Sequence, residues 1–139
     1  MRLTGLSRFA VTLLLSAAVA LAAADTPHLA LARLATALSQ NDAPAALAQF
    51  DRSMPEYGAV EAALGALTAQ AEVLCAIEII EQKGEVADTD WYLQLKPRGE
   101  GGEAVRRRTR VAVTLREIHG KWRIVALTPL SILDPMPVR

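Results

Sequence analysis

Residues 106–129 admit one local structure, and that structure restricts what can surround it. They read R-R-R-T-R-V-A-V-T-L-R-E-I, then His119-Gly120, then K-W-R-I-V-A-L-T-P. Two alternating runs meeting at a two-residue turn with Gly second predict an antiparallel hairpin. On the first arm Val111, Val113 and Leu115 share one face, and Arg106, Arg108, Arg110, Thr114 and Arg116 share the other. On the second arm Trp122, Ile124, Ala126 and Thr128 fall together. With Ile118 and Lys121 flanking the turn, Leu115 is expected opposite Ile124 and Val113 opposite Ala126. One side of the ribbon is then dry and must be covered.

The cover lies upstream. Thr26-Pro27 is an N-cap followed by a first-turn proline, and Leu29, Leu31, Leu34, Ala35 and Leu38 recur at helical spacing to Gln40. Asn41-Asp42-Ala43-Pro44 breaks that helix and caps a short one over 45–50 that presents Leu47 and Phe50. Residues 51–55 turn the chain with Met54 inward. A third helix over 56–70 carries Val60, Leu64 and Leu67 on one stripe. The period then changes from 3.6 to 2. Residues 71–82 put Val73, Cys75, Ile77 and Ile79 on one face, Lys83-Gly84 turns, and 85–96 put Trp91, Leu93 and Leu95 on the matching face. Pairing Ile77 with Trp91, and Trp91 with Val111, makes the dry faces of all four strands coincide. The expected fold class is α+β: three N-terminal helices packed on a curved four-stranded antiparallel meander.

The N-terminus belongs to another kind of segment. Residues 1–8 carry Arg2 and Arg8 and no acid, 9–21 are apolar apart from Thr12 and Ser16, and Ala22-Ala23-Ala24 follows. A basic start, a short apolar middle and small residues at its end read as a signal peptide over 1–24. The apolar run falls short of the ~20 residues that span a bilayer, so no stable membrane span is expected after cleavage. The domain is expected over 25–134, with 135–139 as a short tail, in the periplasm or secreted. Removing Arg2 and Arg8 from the 15 basic side chains leaves 13 against 15 acidic ones, a net charge near −2. That balance does not favour nucleic acid. Cys75 is the single cysteine, so no internal disulfide is expected. His28 and His119 have no ligand-type neighbour at i+2 or i+4, and neither a metal nor another cofactor is expected.

Three helices followed by a four-stranded meander resembles the nuclear transport factor 2-like superfamily, the cone-shaped α+β fold shared with SnoaL-like polyketide cyclases and ketosteroid isomerases. The residues that carry the likeness are Asn41-Asp42, the short helix ending Ala46-Leu47-Ala48-Gln49-Phe50, and Lys121-Trp122-Arg123-Ile124 before a proline-terminated strand. The resemblance implies a sheet curled around the helices, with a small apolar ligand or an active site at the cone mouth, and a dimer through the outer sheet face. Isomerase-like members need a general-base carboxylate with Tyr and Asp acids pointing into the cone. No inward position of the four strands carries one, so the enzyme pattern is not matched. Asp51 and Tyr57 are the polar pair near the expected mouth and the weak candidates for chemistry.

Phe50, Met54, Tyr57, Trp91 and Trp122 are the expected pocket lining. Arg106, Arg108 and Arg110 form a row that would suit an anion, or a solvated outer face compensated by Asp90 and Glu78. The register above sets that row opposite Lys96, Gln94 and Tyr92. Leu74, Ala76, Ile80, Ala112, Val125 and Leu127 make the outer face partly apolar, which points to a homodimer. The leading expectation is an exported non-catalytic domain binding a small apolar molecule or a protein partner. The alternatives are a SnoaL- or isomerase-type enzyme and a structural accessory domain of an envelope assembly.

Overall fold

The computed structural model describes residues 24–99 and 101–137. The segment read as a signal peptide lies outside them except for Ala24. No helix among the described residues is long and apolar enough to cross a membrane.

Helix α1 spans Pro27–Ser39. Thr26 Oγ1 accepts the Leu29 N–H at 3.1 Å, the cap anticipated from Thr26-Pro27. Leu29 is exposed, and the buried stripe is Ala30, Leu31, Leu34, Ala37 and Leu38. Asn41 ends the helix in the left-handed region at φ 56. The Asp42 N–H reaches Ala37 O and the Asn41 N–H reaches Leu38 O, a Schellman ending with Asn in the glycine position. Asp42 then caps α2, Ala43–Leu47, through Ala45 N–H. This helix starts two residues earlier than the sequence implies and releases Phe50 into an extended bridge. Helix α3 spans Tyr57–Gln70 and buries Val60, Leu64 and Leu67.

Four antiparallel strands follow in sequential order: β1 Ala71–Lys83, β2 Val86–Pro97, β3 Val105–Ile118 and β4 Lys121–Thr128. The sheet is open. At its last hairpin His119 and Gly120 have φ 51 and 77, the twin positive values of the turn that matches strand twist. Ile118 faces Lys121, Leu115 faces Ile124 and Ile77 faces Trp91, as the alternation requires.

Two pairings differ from the expectation. Trp91 lies opposite Thr109, and Val111 opposite Thr89. The arginine row therefore faces Gln94, Tyr92 and Asp90, not Lys96, Gln94 and Tyr92. A two-residue slip keeps every side chain on its face, so alternation alone does not oppose it. In β4, Leu115 pairs with Ile124 but Thr114 pairs with Ala126, leaving Val125 as an extra residue. This bulge sets Val113 opposite Leu127 and sends Leu127 inward, buried, while Ala126 turns out. A second bulge falls at Ile80, and Ile77 and Ile79 beside it are only half-buried.

Each sheet edge is covered along part of its length, β1 between Ala71 and Cys75 and β4 at Ile124, which blocks edge-to-edge pairing at those stretches. Along β1, Ser39 Oγ accepts the Cys75 N–H at 3.0 Å and donates to Cys75 O, while Asn41 donates to Ala71 O at 2.7 Å and accepts the Val73 N–H. Along β4, Phe50 forms a parallel bridge with Ile124, with Ile124 N–H to Gln49 O and Asp51 N–H to Ile124 O, both 2.8 Å. Past Pro129 the chain forms a 3₁₀ turn, Leu130–Leu133, that seats Ile132 and Leu133 in the core. Arg107 donates to Ile132 O and Asp134 O, and Gln70 bonds both backbone groups of Met136. The expected tail is thus packed through Met136.

Asp25, just before α1, ties that helix to the start of β4. Its carboxylate accepts the Trp122 N–H at 2.8 Å and two Arg33 N–H groups at 2.8 and 3.2 Å. The Arg33 guanidinium, helped by the Trp122 N–H, holds this carboxyl at about 2, below the ordinary carboxylate range. Its ionised form therefore stabilises the fold above the unfolded value of about 4, and that contribution fades as pH falls toward 2. Asp25→Asn should cost about 1–2 kcal/mol at neutral pH, allowing for solvent screening of the half-exposed arginine. In urea titrations the deficit should be constant above pH ~4 and close between about 4 and 2; a deficit unchanged by acid would show that the charge is not what matters.

Candidate functional site

The centre of the inward sheet face is closed and largely apolar. Ala87, Thr89, Trp91, Leu93, Leu95, Val111, Val113, Leu115 and Ile124 have 0% exposure, so no space the size of a water molecule adjoins them. The polar groups in this layer are paired. Trp91 Nε1–H donates to Thr89 Oγ1 at 2.8 Å, and the Thr89 hydroxyl donates to Val111 O at 2.7 Å. Gln49 and Thr89 are the buried polar residues among those described, and neither ionises. Among the described residues no carboxylate is buried in the interior. Burial pushes the Cys75 thiol up to about 12, which keeps it protonated and unreactive.

The expected pocket lining is divided. Trp91 and Met54 are core residues, and Trp122 packs half-buried against the core. Phe50 and Tyr57 line a surface depression of about 560 Å³ at the β4 edge, with Leu47, Asp51, Arg52, Glu61 and Arg123. The parallel bridge from Phe50 to Ile124 creates it, by carrying the α2–α3 connection alongside the last strand.

Asp51 and Tyr57 therefore share a concavity, but it opens outward and not into the fold. Ser53 Oγ donates to the Asp51 carboxylate, while Tyr57 packs its ring against the core. The arrangement offers Asp51 as an acceptor already engaged by a neighbour two residues away. It does not present the isolated base and paired acids that proton abstraction next to a carbonyl needs.

The arginine row is compensated. Arg108 donates to Asp90 at 2.8 Å, and Arg110 stands 3.8 Å from Asp88. The Arg108 hydrogen bond lowers the Asp90 carboxyl below its ordinary range, and Asp90 raises Arg108 in turn. Arg106 lies opposite Gln94 and has no ion pair among the described residues. Among them there is also no group of three or more His, Cys, Asp or Glu placed to hold a metal ion.

Two features have a role in the structure that the sequence does not assign them. One is the edge seal by Ser39 and Asn41, whose backbone partners lie 30 to 36 residues away. The other is Arg123, which faces Arg116 across the last hairpin. The turn register predicts that facing pair; the depression beside it depends on the Phe50 bridge, which the alternation does not report.

No protein-family model and no curated protein matches the sequence. Solved structures do match in shape. A conserved protein from Planctomyces limnophilus aligns over 72% of this chain and 88% of its own, with TM-score 0.63 and 13% identity. The likeness is one of fold. A suggested aromatic ring hydroxylase from Novosphingobium aromaticivorans matches over 72% and 82%, with TM-score 0.55 and 14% identity. Aln2 from Streptomyces matches over 75% and 90%, with TM-score 0.51 and 17% identity. These neighbours share the α+β fold over the aligned part of the chain, and at such identities they carry no activity across.

Proposed function

We propose that this is an exported, non-catalytic association domain that pairs with a second copy of itself through the outer face of its sheet. The observation that carries the reading is apolar exposure on that face: Leu74, Ile80 and Val86 are 52, 46 and 44% exposed. Large aliphatic groups left in water on one open sheet face call for a cover. The face also carries its charges in rows, Asp88 and Asp90 on β2 beside Arg106, Arg108 and Arg110 on β3. A copy related by a two-fold axis along the strands would lay each acidic row over the partner's arginine row. The closed interior supports a protein partner over a small apolar ligand held inside the fold. It supports association over chemistry as well, since an isomerase-type reaction by Asp51 and Tyr57 would have to run in an outward-opening depression. Signal cleavage after Ala24 would leave Asp25, the residue that joins α1 to β4, at the mature N-terminus.

Light scattering on residues 25–139 tests the pairing. A dimer is expected, and Leu74→Asp with Ile80→Lys should convert it to a folded monomer whose thermal midpoint no longer rises with protein concentration. A wild-type domain that stays monomeric at millimolar concentration would sink the reading.

A further inference from the structure

The depression at the β4 edge gathers opposite charges that do not meet. Arg123 is partly buried and directly faces Arg116, and like charges in that position repel. Arg116 turns to Glu85, 3.7 Å away. Arg123 has no carboxylate within 4.0 Å among the described residues, and neither has Arg52; Glu61 likewise has no cation within that distance. Yet Arg52, Arg123, Glu61 and Asp51 all line this one concavity, over an apolar floor that includes Leu47, Phe50 and Tyr57. Opposite charges that share a cleft without touching leave a gap that a molecule bearing both signs can bridge. Two arginines against two carboxylates give a neutral lining, which suits neither a polyanion nor a polycation.

We propose that this depression binds a small zwitterion with an apolar side group, the chemistry of an aliphatic or aromatic α-amino acid. The ligand carboxylate lies toward Arg123 and Arg52. Its ammonium lies toward Glu61 and Asp51, and its side group rests on Leu47, Phe50 and the Tyr57 ring. About 560 Å³ falls within the range of small-molecule sites. Binding here also gives Arg123 the counter-charge that Arg116 denies it. The site lies at the β4 edge and does not depend on pairing of the sheets.

Titration of the domain with L-phenylalanine, followed by amide chemical shifts, tests this directly, with phenylacetate and phenethylamine as single-charge controls. Saturable shifts centred on Phe50, Tyr57 and Arg123 are expected, with phenylalanine at least about tenfold tighter than either control, the worth of one charge-assisted contact. Arg123→Gln and Glu61→Gln should each weaken it by about tenfold, while the thermal midpoint of Arg123→Gln holds or rises because a repulsion is removed. Glu61 is an exposed helix residue, so its variant carries the test should the strand variant fail to fold. Absence of saturation, phenylacetate binding as tightly as phenylalanine, or a Glu61→Gln variant that binds like wild type would each overturn the proposal.

Discussion

Replacing Trp91 by alanine is expected to lower the unfolding free energy by about 3–5 kcal/mol, the cost of deleting a large aromatic from a closed core. Trp91 has 0% exposure and sits in the central layer between helices and sheet. Its removal forfeits the burial of the indole and leaves a void that the flanking strands are too well paired to close. A hydrogen-bond series separates packing from polarity. Thr89→Val keeps the volume but strands the buried Trp91 N–H and frees Val111 O, so about 1–3 kcal/mol should be lost. Trp91→Phe should fall between the two. Urea midpoints at constant slope measure all three. A loss below about 1 kcal/mol for Trp91→Ala would mean that the site collapses easily, and would reopen the case for a ligand cavity inside the fold.

Trp91 also marks how far the sequence reaches. Its face was legible because four strands had to share one dry side, and period-two alternation fixes faces firmly. Its cross-strand partner was not, because a slip of two residues changes no face. The choice lies in pairs such as Asp90 with Arg108 and Arg110, which the slip brings together. The β4 bulge was hidden for a different reason. Val125-Ala126-Leu127 is apolar throughout, so no polar residue reports which of the three faces water. The candidate site shows the same division. The grouping of Phe50, Asp51 and Tyr57 was legible from their nearness in the chain. Their joining to Arg123, and the direction in which the concavity opens, required the parallel bridge to Ile124, a long-range contact with no periodic signature.

Asn41 both ends α1 in the left-handed region and bonds the edge of β1, and its substitutions should separate three roles. Asn41→Ala is expected to cost about 2–4 kcal/mol: a side chain forced into the left-handed region costs about 1, and two strand-edge hydrogen bonds are lost at about 0.5–1.5 each. Asn41→Gly adopts φ 56 freely and should lose only the second part, about 1–3 kcal/mol. Asn41→Asp keeps the acceptor for the Val73 N–H but sets a carboxylate oxygen against Ala71 O, so it should protect one backbone group and repel the other. Amide exchange gives the sharper readout. In Asn41→Gly the Val73 amide should exchange faster while the Cys75 amide, held by Ser39, stays protected; Ser39→Ala should reverse the two. An edge strand stripped of its cover is a template for another strand, so the double variant Ser39→Ala with Asn41→Gly should aggregate on heating where each single variant unfolds reversibly. Equal exchange at Val73 in wild type and Asn41→Gly would show that the helix end does not seal β1 in solution.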